Sequence, residues 1–175
     1  MVDDGLGNIN EFFGRGGKPL LDFLDYCVRS IQMDLVFLFL VREYRDSRTA
    51  AKAVALYDMF CAPNAPGRIS VGHALPPYDV RLRETIRPLA MNLAQSSTPP
   101  LSPPKYLFDS LAGEIELRSP SLHKAREYKP NRTAVENLPG GKMTPVQRHF
   151  VEKIWEPIIR PRLVSAGFWR MTTIA

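Results

Sequence analysis

From Leu20 onward the apolar residues fall at intervals of three and four. Leu20, Leu21, Leu24, Cys27, Val28 and Ile31 form the stripe of an amphipathic helix. Pro19 suits its first turn, where no backbone donor is needed, and the pattern predicts an end near Gln32. The next stretch, DLVFLFLVREYRD (34–46), holds seven apolar residues in a row before turning polar. No Gly, Pro or Asn follows Val41 before Ala62, so a strand has no turn to end it. Continuous apolarity over two turns predicts a helix enclosed by other helices, with Asp34 as its cap.

After a break at Ser47–Thr49, helical spacing resumes through Ala53, Val54, Tyr57, Phe60 and Cys61, and APNAPGR stops it. ISVGHALPPY reads as loop. DVRLRETIRPL reads as a helix started by Asp79 and interrupted near Pro88, with a second broken segment over Leu89–Gln95. SSTPPLSPP is a proline linker. Lys105–Leu117 is predicted helical with Tyr106, Leu107, Leu111 and Ile115 buried, and Ser119–Tyr128 forms another helical segment. KPNRTAVENLPGGK is a surface loop, in which the sequon-like Asn131-Arg132-Thr133 is read as accidental. Thr144-Pro145-Val146-Gln147 has the form of a capping box. Beyond it Val146, Phe150, Ile154 and Ile158 share a stripe, and Pro157 and Pro161 are expected to kink or end the helix. With no internal repeat and no credible strand pair, the fold is all-α.

Composition narrows the function. No apolar run approaches the roughly 18 to 20 residues that span a bilayer. The start MVDDGLGN is acidic, without the apolar stretch of a secretory signal, so a cytoplasmic location is expected. Cys27 and Cys61 lie in apolar runs and fit buried free thiols. His73, His123 and His149 are scattered, so neither a metal nor another cofactor is expected. GRGGKP lacks the ending of a phosphate loop and has no strand before it, and reads as a flexible lead-in. With no nucleophile elbow and no paired carboxylate motif either, the chain is not expected to be an enzyme. The net charge of +5 points to an acidic partner, lipid or protein. The basic residues are too dispersed for nucleic acid.

Taken in order, the segments between about Leu20 and Tyr128 resemble a regulator of G-protein signalling (RGS) domain. DLVFLFLVRE is similar to that family's central helix, with Phe39 at the tryptophan place and Glu43 at the glutamate. AAKAVALYDMFCAPNAPGRISV resembles its alanine-rich helix and following loop, and YDVRLRETI its arginine-bearing helix. YLFDSLAGEIELR and SPSLHKAREY resemble its two closing helices. The resemblance covers about two thirds of the chain. It implies a bundle of about eight to nine helices, here with an extra C-terminal helix.

It also implies a partner, an activated Gα subunit whose GTP hydrolysis is accelerated. Gα carries its catalytic arginine in cis, so the family acts by holding the switch loops in the form that favours the transition state. The positions facing Gα would be Asp34, Leu35, Ser70, Ser110, Glu114 and Arg118. The family usually carries asparagine where this chain has Leu35 and Ser70. A leucine offers no hydrogen bond, and a serine offers one donor on a shorter arm. A non-catalytic RGS-homology module that binds another protein therefore stays open beside GTPase activation. Glu114 and Arg118, four apart on a helix, also fit an ordinary ion pair.

The expected organisation is an N-terminal arm at 1–18 with a short helical turn near Ile9–Phe13, an RGS-like domain at 19–129 and a loop at 130–142. A C-terminal helix and tail at 143–175 would pack on the bundle. Trp155, Phe168 and Trp169 would dock there. The competing reading sets them at an anionic membrane surface beside Arg160, Arg162 and Arg170.

Overall fold

The structure, a computed structural model, describes residues 17–70, 75–95 and 101–168. These residues are helical and loop, with no strand among them. Helix α1 spans Gly17–Arg29, α2 Met33–Asp46 and α3 Ala50–Leu56, which continues as a π-turn at Tyr57–Cys61. Helix α4 spans Leu75–Leu93, α5 Asp109–Arg118 and α6 Ser121–Glu127. The C-terminal rod is built from α7 (Pro145–Phe150), a π-helical stretch (Val151–Ile159) and α8 (Arg160–Ala166), joined without a break. The described residues thus form seven continuous helical rods, slightly fewer than the eight to nine expected.

The hydrophobic stretch is the axle of this bundle. Every residue from Met33 to Val41 is buried, and so is Tyr44. Helices α1, α3, α5 and α6 pack around α2, which explains why it is apolar on all sides rather than along one stripe. Phe37 meets Phe60 at 5.8 Å and Phe108 edge-on at 5.9 Å, and Phe108 meets Tyr44 at 5.4 Å. These rings tie α2 to the end of α3 and the start of α5. Cys27 and Cys61 are buried free thiols.

Several boundaries fall where local chemistry, not hydrophobic spacing, puts them. Helix α1 stops at Arg29, before Gln32, because the chain turns at Ile31 with φ +58. Thr49 caps α3 by accepting from the Lys52 amide at 3.2 Å. Helix α4 begins at Leu75, not Asp79, and runs through Pro88. Its early prolines cost little, since first-turn amides have no helical partner. Pro88 and Glu84, the residue whose carbonyl it fails to pair, are both exposed.

Helix α5 begins at Asp109, so Lys105–Phe108 is a turn. Tyr106, expected inside, is 66% exposed, and Phe108 takes its place at 1%. The capping box at Thr144 and Gln147 is present. The expected N-terminal arm lies outside the described residues, except Gly17 and Lys18, which open α1. The loop after α6 packs Ala134 and Leu138 into the core.

The rod departs from its expected stripe. Phe150 is buried, but Val146 and Ile158 are 71% and 46% exposed. The residues that dock are Phe150, Trp155, Ile159, Leu163 and Ala166. The five-residue step from Phe150 to Trp155 is the signature of the π-stretch, which rotates the buried face by one position. Phe168 is fully buried, and the Lys52 ammonium lies 5.5 Å from its ring centre while donating to the Ser47 carbonyl at 2.8 Å. Trp155 and Phe168 therefore pack on the bundle and are not available to a membrane. Arg160 and Arg162 pair with Glu156 and Asp58. Trp169 and Arg170 lie outside the described residues.

Candidate functional site

Two of the polar residues singled out in the sequence, Asp34 and Ser70, meet at the N-terminal end of α2. Asp34 is only 2% exposed. A buried carboxylate is tolerated only when donors surround it, and three do. The Ser70 amide donates to Oδ1 at 2.8 Å, the Ser70 hydroxyl donates to Oδ2, and so does the buried Ser119 hydroxyl. Its place in the first turn of α2 adds the favourable end of the helix dipole. Asp34 does not cap the helix as expected. It is the second residue of the helix, two past Gln32, which holds the cap position and makes no side-chain cap bond.

Each donor is delivered by a short element. Ser70 lies on a segment fastened back on the π-turn, with the Gly67 amide on the Met59 carbonyl at 2.9 Å and the Ile69 amide on that of Phe60 at 3.1 Å. The loop passes so close that a Cβ on Gly67 would sit 3.1 Å from Ile159 Cδ1 and 3.2 Å from the Met59 carbonyl. Ser119 is the residue that ends α5. Its hydroxyl also accepts from the Ser121 amide at 3.1 Å, and the Ser121 hydroxyl donates to Gln32 Oε1 at 2.6 Å. Three segments distant in sequence, around residues 32–34, 70 and 119–121, are thus joined through one carboxylate and one amide.

Two clefts flank this knot. One of about 250 Å³ is bordered by Ile31, Met33, Asp34, Gly67, Ser70 and Phe150. Another of about 490 Å³ is bordered by Arg118, Ser119, Pro120, His123 and Arg126, among others. Glu114 and Arg118, one turn apart on α5, form an ion pair at 3.1 Å, with the glutamate mostly covered and the arginine 58% exposed.

Of the six residues implied by the family resemblance, Asp34 and Ser70 are brought into contact here; Arg118 precedes Ser119 in the chain and borders the second cleft with it, paired to Glu114. Leu35 is fully buried and offers no surface to a partner. Ser110 stands eight residues before Arg118, about 12 Å along the helix. It borders a separate crevice of about 100 Å³ with Arg81 and Thr85. Ser119, Ser121 and Gln32 were missed by the sequence reading. The Ser-Pro-Ser of 119–121 was visible as a helix start, but its hydroxyls reach across the bundle instead.

Chemically the knot holds loops in place. Serine hydroxyls donating to a carboxylate, with no histidine between them, lack the base that would activate a nucleophile. No group of three His, Cys, Asp or Glu side chains suited to a metal ion occurs among the described residues. No helix among them is long and apolar enough to cross a membrane. Compared with protein-family models, curated proteins and solved structures, the chain finds no match.

Proposed function

We propose that this chain is a helical binding module of the RGS type that docks on an activated Gα subunit and accelerates its GTP hydrolysis by holding the switch regions. The supporting observation is the convergence at the Asp34 knot. A loop residue, Ser70, and the Glu114–Arg118 pair on α5 lie far apart in sequence and share one end of the bundle. Arg118 supplies an exposed guanidinium for carboxylate or backbone acceptors on the partner, and Glu114 orients it. The module needs no catalytic residue of its own, because ordering the partner's switch loops lowers the barrier through differential binding.

A second reading has its own support. The Ser70 hydroxyl is directed into Asp34 and Leu35 is enclosed, so neither offers a free hydrogen-bonding group to a hydrolytic site. On that reading the module binds its partner without accelerating hydrolysis. Single-turnover GTP hydrolysis by a panel of Gα subunits, with and without this chain, separates the two. Faster hydrolysis together with preference for the transition-state-mimic form supports activation. Binding indifferent to the nucleotide supports the scaffold, and no binding to any Gα removes activation and leaves the scaffold only with a different protein partner.

A further inference from the structure

The connection between α4 and α5 reads in sequence as a bare proline linker, yet its second half is tied down at three points. The Leu101 amide donates to Asn92 Oδ1 at 2.9 Å. Arg48 Nε donates to the Pro103 carbonyl at 3.1 Å, and the Tyr44 hydroxyl donates to the Pro104 carbonyl at 2.5 Å. Pro103 is buried, whereas Leu101, Ser102, Pro104 and Lys105 are exposed. Ser102 and Pro103 each precede a proline and are confined to extended or polyproline backbone. The segment is therefore an extended strap laid across the corner between α2 and α3, with an exposed serine in its middle.

We propose that Ser102 is a phosphorylation site for a proline-directed serine/threonine protein kinase, and that Arg48 receives the phosphate. A kinase groove takes its substrate extended, and the strap already has that form. It must lift off Tyr44 and Arg48 to bring the buried Pro103 into the groove, and it settles back once Ser102 is phosphorylated. Proline directly after the acceptor carries no N–H, so it suits a pocket that offers no acceptor there. Lys105, three residues after Ser102, supplies a cation for an acidic or phosphorylated kinase surface.

On the chain's own side, Arg48 is exposed and uses only Nε on the strap. Its two terminal nitrogens remain to grip phosphate oxygens in a bidentate pair. Asp109, the carboxylate that opens α5 behind the strap, is held by Arg45 and does not compete for Arg48. Asp46, exposed at the end of α2, is the acidic neighbour that opposes the phosphate.

The transfer balances simply. Ser102 Oγ bonds to the γ-phosphorus of ATP, the bond to the bridging oxygen breaks, ADP leaves, and the hydroxyl proton passes to the kinase's base. The product carries about −1.5 to −2 of added charge and lowers the net charge from +5 to about +3. Gripped by Arg48, the phosphate fastens the strap more firmly over Tyr44.

The test uses the folded chain, a proline-directed kinase and Mg-ATP, with fragment masses locating the phosphate. The expected result is a phosphate on Ser102, lost in Ser102→Ala. Thermal unfolding of the phosphorylated chain should then rise by about 2 to 4 °C. Arg48→Ala should keep the phosphate and lose that rise, and Arg48→Lys should retain part of it. No phosphate at Ser102 of the folded chain overturns the site. An unchanged melting temperature, or an equal rise in Arg48→Ala, overturns the arginine clamp.

Discussion

At the scale of single residues, Asp34 carries the most structural consequence. Its position was legible in the sequence, because an acid opening an apolar run draws attention, but its task was not. A cap is a local bond and can be anticipated from neighbours, whereas the partners Ser70 and Ser119 lie 36 and 85 residues away. Asp34→Ala strands three donors around a buried site and should lower unfolding stability in urea by about 3 kcal/mol. Asp34→Asn keeps an acceptor oxygen and should cost less. Equal stability of wild type and alanine variant would show the knot to be unimportant. Tyr26, Tyr44 and Tyr128 make a second residue-level case. Burial pushes each phenol up from 10.0 to about 12. For a raised value the stabilisation is complete below about pH 10 and is lost as pH climbs through about 12. Phenolate absorbance from these tyrosines should therefore appear together with loss of helix between those limits, not before it.

Among elements, the axle and the C-terminal rod show what hydrophobic spacing can and cannot reveal. The axle was readable because seven consecutive apolar residues need cover on every side, whatever the exact helix geometry. The rod was misread from Val146 to Ile158 because the spacing was counted at an ordinary helical period. Pro157 and Pro161 held the clue. A proline inside a helix lacks its amide and crowds the carbonyl four residues back, and the π-stretch around Pro157 is a way to make room. The shifted register makes a sharp prediction. Ile159→Ala, at a fully buried position, should destabilise by about 2 to 5 kcal/mol. Ile158→Ala, beside it and half-exposed, should stay within about 0.5 kcal/mol. Urea titrations of the two variants decide it, and the reverse order would restore the regular stripe. Tyr106 failed for a related reason. Two of the five residues before it are prolines, and helix α5 starts only after the strap they form has ended.

For the whole molecule, an all-helical bundle around residues 34–41 follows from pattern and packing alone. The candidate site was half legible. Glu114 and Arg118 could be placed on one helix face from their spacing, but the link from the end of α5 to Asp34 runs through the Ser119 hydroxyl, and that of Ser70 depends on a loop path set by Gly67 and the π-turn. Leu35 and Ser110 were carried by the family resemblance only; the structure encloses the first and sets the second about two turns of helix away. The central claim is that the surface around Ser70, Glu114 and Arg118 docks on a Gα subunit in its activated form. It is tested most directly by measuring the affinity of the chain for Gα loaded with GDP and aluminium fluoride against Gα loaded with GDP alone. Arg118→Ala is measured beside the wild type. Tighter binding to the fluoride form, weakened about tenfold or more in Arg118→Ala, is the predicted result. Absence of binding to either form, or binding that Arg118→Ala leaves unchanged, would contradict it.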